Sequence, residues 1–403
     1  MIDYILGITS VFFSIYGAYY AITGFFAFLK PRKEVSKTNK TNKFSIIIAA
    51  RNEENVIGNL IDSLQKMNYQ KDCYEINVIV NNSTDNTYEV AKSYGINVMN
   101  CEIPVKSKGE VLRYIFKKFK NKKFDAYVIF DADNVVHPDF LKYMNESLNN
   151  GFKVAQGFRD SKNYRDNWIS GSYTLFYYLQ NFFFNLSRKK IKASASINGT
   201  GFMVQKDFIE SIDFNPETLT EDVELTTVCA VLNERIDFVK DAITYDEQPT
   251  NFRVSLKQRL RWSKGNLQCW KKYHLDLLKG FFKNKNISCI DMYLNNLAAF
   301  IQVISIAMII VGFAVKVLTT RWEFSLIGMA YMGLSYLFTL IVTLFVTVYN
   351  KKSVSGMLPS LLLFTLFLVT WFPINIVSIF KKEVKWDHIG HNKSVNIDDI
   401  VKS

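Results

Sequence analysis

The placement of its apolar runs constrains this 403-residue chain more than any other feature. Ile5 to Leu29 is 25 residues without a charge. As a helix rising about 1.5 Å per residue it reaches roughly 37 Å, enough to cross a hydrocarbon core of about 30 Å. A cleaved signal peptide is the competing reading. The absence of Lys or Arg before the run, the length of the run and the lack of a small-residue cleavage site favour an uncleaved anchor. Three more runs of spanning length lie at Met292–Val315, Phe324–Tyr349 and Met357–Phe380, and none lies between Lys30 and Asp291. The chain therefore divides into an anchor (1–30), a polar block (31–250), interfacial helices (251–290), three membrane helices (291–380) and a polar tail (381–403).

Charge gives the expected orientation. Lys30, Arg32, Lys33, Lys37, Lys40 and Lys43 follow the first run against a single acid, Glu34, which places the polar block in the cytoplasm. Three further crossings would carry the tail to the other side, yet Lys381, Lys382 and Lys385 after the last run ask for the same side. Either the tail breaks the rule or one segment is re-entrant. Composition excludes other classes: 49% hydrophobic against 21% charged residues is not a disordered chain. The +12 net charge does not mark a nucleic-acid binder, because most of the 33 Phe and 21 Tyr sit in apolar runs rather than among the basic patches. Five scattered cysteines without a CxxC read as reduced thiols.

The polar block alternates strand and helix. Strands are expected at Phe44–Ala50, Glu75–Val80, Ile96–Met99 and Ala126–Phe130, with helices at Asn55–Met67 and Ser107–Phe119. That order predicts an α/β doubly wound sheet with its ligand at the carboxyl ends of the strands. Polar residues gather at those ends: Arg51-Asn52-Glu53-Glu54, Asn81-Asn82-Ser83-Thr84-Asp85 and Asp131-Ala132-Asp133. Two carboxylates flanking one small residue suit a hard cation held together with substrate phosphates; a capped turn explains the same residues. Lys106-Ser107-Lys108-Gly109 at a helix start suits an anion, or is simply solvated. The lysines of 117–123 and Arg188-Lys189-Lys190 read as solvated faces. Trp168–Leu186, thick with aromatics, reads as a helix at the membrane interface, with a core helix as the alternative. The glycines of Asn198-Gly199-Thr200-Gly201 permit close approach of a ligand or a hairpin. Thr220 is expected to cap a helix that opens with Glu221 and Asp222. Arg261 and Trp262 offer a guanidinium fork and a stacking face.

The order of these pieces is more telling than any of them. Asp85, Asp131-Ala132-Asp133, Thr220-Glu221-Asp222 and Gln258-Arg259-Leu260-Arg261-Trp262 resemble the D, DxD, (T/E)ED, QxxRW series of membrane-bound family 2 glycosyltransferases. These include the synthases of hyaluronan, chitin oligomers, cellulose and poly-N-acetylglucosamine. Ala49-Ala50-Arg51-Asn52-Glu53-Glu54 and Tyr245-Asp246-Glu247-Gln248-Pro249 also match. The resemblance spans about residues 44–380 and implies a GT-A-like mixed sheet. It assigns donor binding to Arg51, Glu53, Asp85, Lys108, Asp131 and Asp133, the last two holding Mg²⁺ or Mn²⁺. Asp222, with Glu221 beside it, becomes the catalytic base. Asn198, Gly199, Thr200, Gly201, Gln258, Arg259, Arg261 and Trp262 border the acceptor and the diphosphate. The implied activity is processive, inverting polymerisation of a UDP-sugar, UDP-N-acetylglucosamine first and UDP-glucose second, with export of the β-linked chain through the plasma membrane. Transfer of a single sugar to a lipid is the alternative, and an accessory membrane subunit is a possible partner. Trp386-Asp387-His388 and His391 are expected to lie in an exposed tail of ordinary histidines.

Overall fold

The computed structural model describes residues 2–30, 38–319, 323–384, 390–391 and 393–401. The basic residues 32–37, Lys385 and Trp386–His388 fall outside them. The chain opens with helix α1 (Ile2–Phe25). The polar block follows as β1 (Phe44–Ala50), α2 (Ile57–Gln65), β2 (Tyr74–Val80), α3 (Thr87–Ser93), β3 (Asn97–Asn100), α4 (Lys108–Lys118), β4 (Ala126–Asp131), β5 (Val135–Val136) and α5 (Phe140–Asn149). Then come β6 (Val154–Ser161), α6 (Trp168–Leu179), a π-helix (Gln180–Leu186), α7 (Ser187–Lys190), β7 (Phe202–Gln205), α8 (Lys206–Ser211), α9 (Glu221–Val231) and β8 (Ile236–Asp246).

The strands form one mixed sheet in the order β3-β2-β1-β4-β7-β6-β8-β5. The β3-β2-β1-β4 half is parallel, and β7 joins it antiparallel. Its centre explains the sequence pattern. Ile46 and Ile48 of β1 face a cluster with Leu60, Ile61 and Leu64 of α2, whereas Ile47 faces the opposite cluster with Val111 and Ile115 of α4. A strand buried on both faces reads as a continuous apolar run because neither face meets water. Fully burying each such side chain contributes about 1.5–3 kcal/mol. Helix α2 begins two residues later than expected, because Asp85 accepts the Glu54 N–H and the Glu53 carbonyl accepts Val56 and Ile57, which holds residues 51–56 as a turn.

The membrane-facing part differs from expectation in three places. Residues 251–290 are not several interfacial helices. They hold one 33-residue helix, α10 (Phe252–Asn284), N-capped by Asn251, and then α11 (Ile287–Thr319), which contains the first C-terminal run. The second run is α12 (Glu323–Tyr349). The third, long and apolar enough to cross a membrane, is broken at Thr370 into α13 (Val354–Val369) and α14 (Trp371–Phe380). Pro373 has no N–H to give the Val369 carbonyl, which removes one ladder bond at this junction, while Thr370 keeps near-helical backbone angles. Finally, α6 packs as a helix of the protein interior. Its Tyr173, Tyr177 and Tyr178 are buried inside the protein, in a cluster shared with Met357, Leu361, Phe364 and Phe367 of α13.

Both ends of the α13–α14 segment are tied to the polar block or to α10. Lys352, just before it, pairs with Asp160 at 2.9 Å, and the Lys381 carbonyl, just after it, accepts Lys264 at 2.6 Å. Helices α11 and α12 show Ile309, Tyr331, Met332 and Phe338 to the outside, and α13–α14 shows Leu358, Leu366, Val369 and Phe380, an apolar coat suited to lipid. Helix α1 is joined to α11 through a buried cluster. Arg188 forks onto Asp291 at 2.7 and 3.1 Å, and the Tyr19 hydroxyl donates to the same carboxylate at 2.8 Å.

Candidate active site

A cleft with a cavity of about 280 Å³ opens at the carboxyl ends of β1, β4, β6 and β8 and runs to the first turns of α9 and α10. Its walls carry Arg51, Glu53, Lys108, Asp131, Asp133, Asn198, Gly199, Glu221, Asp222, Gln258, Arg261 and Trp262, twelve of the residues singled out by sequence.

One side of the cleft is charged and tightly partnered. Ser107 N-caps α4 by accepting the Glu110 N–H, which aims Lys108 inward. Lys108 pairs with Asp131 and donates to the Gly199 carbonyl at 2.7 Å. Burial opposes the Lys108 charge, but Asp131 and Glu221 outweigh it and raise its pKa. The Asp131 N–H is held by the Thr200 hydroxyl at 3.0 Å. Asp133 is 5% exposed and accepts the Glu247 N–H at 2.9 Å. Its burial disfavours charge, yet His391 and Lys162 hold its pKa below the usual carboxylate range.

Among the described residues no cluster of three or more His, Cys, Asp or Glu forms a ready metal cage. Asp131 and Asp133 both line the cleft and offer carboxylate oxygens, Asp131 half-exposed and Asp133 buried. Such a partial oxygen shell, completed by substrate phosphates and water, is how Mg²⁺ is usually held. The donor set therefore fits a hard divalent cation bound together with a diphosphate.

Glu221 and Asp222 open α9 deeper in the cleft. Burial, and then the neighbouring Asp222 charge, push Glu221 up to about 7. Burial also raises Asp222, against hydrogen bonding from the Val223 N–H and the charges of Arg261 and Lys108. Thr220 occupies the N-cap position but its side chain caps nothing, contrary to expectation. Its hydroxyl is turned against Gly265 of α10, where a Cβ would come within 2.2 Å of it. Gly199, at φ +83°, lets the backbone pass beside Asp222; a Cβ there would stand 3.3 Å from the carboxylate.

Four sequence assignments do not reach the cleft wall. Asp85, expected on the donor, instead accepts from Glu54 N, Thr87 N and the Thr87 hydroxyl. Burial opposes its charge, but these bonds prevail and lower its pKa. Thr200 supports Asp131 from behind, and Gly201, at φ +61°, packs against Thr244. Arg259 is fully buried, donates to the Phe367 carbonyl and the Thr370 hydroxyl, and lies 4.2 Å from the Phe367 ring centre. Packing gives the reason: Arg259 is held by the Phe367 carbonyl and the Thr370 hydroxyl, off the cleft that Gln258, Arg261 and Trp262 line. Arg259 thus fastens the α13–α14 break.

The cleft also holds residues that sequence reading missed. Arg159 of β6 pairs with Asp246 of β8, its Nε at 2.6 Å, and donates to the Asn198 carbonyl at 2.7 Å. Burial first, with Asp133 and Asp131 adding to it and Arg159 opposing, leaves Asp246 at about 6. Asp246 stood inside a motif noted only as support; Arg159 carries no local signal. His391 is not in an exposed tail. Its Nδ1 lies 3.0 Å from Glu53 and its Nε2 4.0 Å from Asp133. Burial lowers its pKa, but Asp133 and Glu53 dominate and raise it to about 10. The tail is seated by Ile397, 2% exposed against Val135 and Tyr245, and by Lys393 on Asp166. Phe176, Gln180, Asn266 and Trp371 complete the side of the cleft next to α10.

Residues 41–265 match the family model described as "Glycosyltransferase like family 2". The chain is 29% identical over 255 residues to "Probable glycosyltransferase YdaM" of Bacillus subtilis (strain 168), a match covering 60% of this chain and 59% of that protein. It is 21% identical over 387 residues to "Poly-beta-1,6-N-acetyl-D-glucosamine synthase" of Staphylococcus epidermidis, covering 90% of this chain and 88% of that one. Among solved structures, a mannosyltransferase from Pyrobaculum calidifontis in complex with GDP-Man and Mn²⁺ superimposes with a TM-score of 0.66. That match covers 95% of this chain and all of the other at 13% identity, so it speaks for the GT-A fold alone.

Proposed function

Because the chain belongs to glycosyltransferase family 2, we propose that it extends a β-linked glycan at a bilayer surface from a UDP-sugar, UDP-N-acetylglucosamine first and UDP-glucose second. The carrying observation is the buried Glu221–Asp222 pair set beside Lys108, Asp131 and Arg261 in one cleft. A sugar hydroxyl is a weak nucleophile and needs a carboxylate within hydrogen-bond reach to take its proton. Asp222 serves as that base once the pair, which burial keeps from carrying two charges up to about pH 7, has lost its shared proton. Direct displacement at the anomeric carbon inverts it. The departing diphosphate gathers negative charge, which Lys108 and Arg261 meet in a partly dehydrated site. Asp131 and Asp133 would hold Mg²⁺ or Mn²⁺, which would supply Lewis-acid stabilisation of the same leaving group. The catalytic domain faces the cytoplasm, on the strength of the lysines and arginine between Lys30 and Lys43 and of Lys381 and Lys382.

Extension of a polymer is favoured by the poly-N-acetylglucosamine synthase relative, which matches along nearly the whole chain. A lipid acceptor receiving one sugar is favoured by a different observation. Among the described residues three helices are long and apolar enough to cross a membrane, Ile287–Gly312, Gly328–Tyr349 and Val354–Phe380. Three helices do not enclose a sugar-sized passage, so export by this chain requires further helices from a second copy or an accessory subunit. The test uses full-length protein in nanodiscs with Mn²⁺ and a panel of radiolabelled UDP-sugars, products being separated by size. Long products from wild type, absent in Asp222→Asn, support the proposal. A single-sugar lipid product moves the assignment to glycolipid synthesis. Undiminished product in the variant removes Asp222 from its role.

A further inference from the structure

The backbone from Asn198 to Gly201 runs between the donor residues and the base. Gly199, at φ +83°, passes Asp222 so closely that a Cβ there would stand 3.3 Å from the carboxylate, and the Thr200 hydroxyl holds the Asp131 N–H at 3.0 Å. The position of this segment therefore bears on both carboxylates. Two cations hold it by successive carbonyls. Lys108 donates to the Gly199 carbonyl and Arg159 to the Asn198 carbonyl, each at 2.7 Å.

The two holds differ in what else they serve. Lys108 also pairs with Asp131, and its ammonium ends a flexible four-carbon stem that a diphosphate can draw away. Arg159 is locked. Its Nε donates to Asp246 at 2.6 Å, its guanidinium lies 4.0 Å from the Tyr177 ring centre, and its side chain is 12% exposed. Gln248 donates to the other Asp246 oxygen at 2.6 Å. The sheet register makes this pairing: Arg159 of β6 lies opposite Thr244 of β8, and Asp246, two residues on, shares the Thr244 face. A planar guanidinium fork serves a carboxylate and a carbonyl at once, whereas an ammonium cannot hold both in that geometry. We propose that Arg159 is a positioning residue for the base: when a diphosphate draws Lys108 from Gly199, Arg159 keeps the Asn198–Gly199 peptide against Asp222 while the donor half rearranges. The inference rests on the transfer reading above and adds to it a cation that touches neither the diphosphate nor the reacting hydroxyl.

The test reads binding and backbone exchange as well as turnover. Full-length protein in nanodiscs is compared with Arg159→Lys for UDP affinity, for kcat and donor KM with the UDP-sugars of the panel above, and for amide exchange of residues 196–203 with and without UDP and Mn²⁺. Arg159→Lys is expected to bind UDP within about two-fold and to lower kcat about thirty-fold, with donor KM moved less than about three-fold. Its 196–203 amides, among them the Asn198 N–H that Gln156 accepts at 2.9 Å, should exchange as in wild type without UDP and about ten-fold faster with it, whereas wild type stays protected in both. Asp246→Asn, which loosens the guanidinium without removing it, should give the same pattern more weakly and serves if Arg159→Lys does not fold. The proposal is overturned if the folded variant keeps wild-type kcat, if it shows no UDP-dependent exchange, or if its UDP affinity falls by about ten-fold, which would make Arg159 a donor contact. If wild type transfers from no UDP-sugar and the exchange pattern still appears, the Arg159 hold stands and the transfer reading fails.

Discussion

In the donor half of the cleft Lys108 meets Asp131, His391 meets Glu53, and Asp133 accepts the Glu247 N–H. In the acceptor half the nearest neighbours of Trp262 are other rings. The first half is wired before anything binds. Its charges compensate one another until a diphosphate and a cation replace some of those pairings. The second half is joined by ring contacts instead of ion pairs. A charged leaving group is stabilised by strong fields that burial amplifies, whereas a neutral ring is recognised by shape and by many small contacts.

The comparison breaks first at the boundary between the halves, where Asp222 stands. Asp222→Asn should lower kcat by about a thousand-fold while leaving UDP affinity within about two-fold, measured by UDP release and UDP binding. Loss of both together would place Asp222 on the donor side. Next, Lys108→Met or removal of divalent metal should cost about a hundred-fold in transfer, read by UDP release. Activity that survives chelation would show the donor half working without the cation.

The pH profile gives a third, smaller effect. Glu221 is raised to about 7, so transfer should rise about ten-fold between pH 6 and 8 as the pair loses its shared proton. The stability effect has the opposite sign. A carboxyl whose folded pKa lies above its ordinary 4.5 adds stability below that value and loses it as pH rises through about 7. Thermal melts should therefore fall with pH across this window, and less so in Glu221→Gln. A midpoint unmoved by that substitution would assign the titration to another group.

Gly265→Ala comes fourth, because its Cβ meets the Thr220 hydroxyl where α10 crosses the start of α9. Overpacking there should cost about 1–3 kcal/mol and a several-fold loss of kcat through displaced carboxylates. A loss of stability with full activity would uncouple the crossing from the site. The smallest effect should come from Ile397→Ala, which frees the tail to proteolysis and alters donor KM more than kcat. Unchanged tail cleavage would mean that Ile397 does not seat it.

Sequence legibility follows the same division. Asp131, Asp133, Lys108, Glu53 and Arg51 sit at strand ends or a helix start, where local pattern and burial on both faces reveal the sheet and its ligand edge. The neutral half draws Phe176, Trp262 and Trp371 from helices far apart in the chain, and aromatic residues in apolar stretches look like core until tertiary packing exposes one face. Arg259 is not separated from Gln258 and Trp262 by helical periodicity; only its tertiary partners Phe367 and Thr370 take it out of the cleft. Asp85 was misplaced in the same way: its three hydrogen bonds to the 54–87 turn are tertiary and leave no trace in spacing. His391 could not be found locally, because its partners Glu53 and Asp133 lie more than 250 residues away.

The tail also ties the carboxyl end to the catalytic domain. Lys352 pairs with Asp160, the Lys381 carbonyl accepts Lys264 of α10, and beyond them His391 lies against Glu53 and Lys393 against Asp166. A carboxyl end held on the domain shares the domain's side of any bilayer. A reporter fused at the carboxyl end would share the catalytic domain's compartment, and one fused ahead of α1 would not.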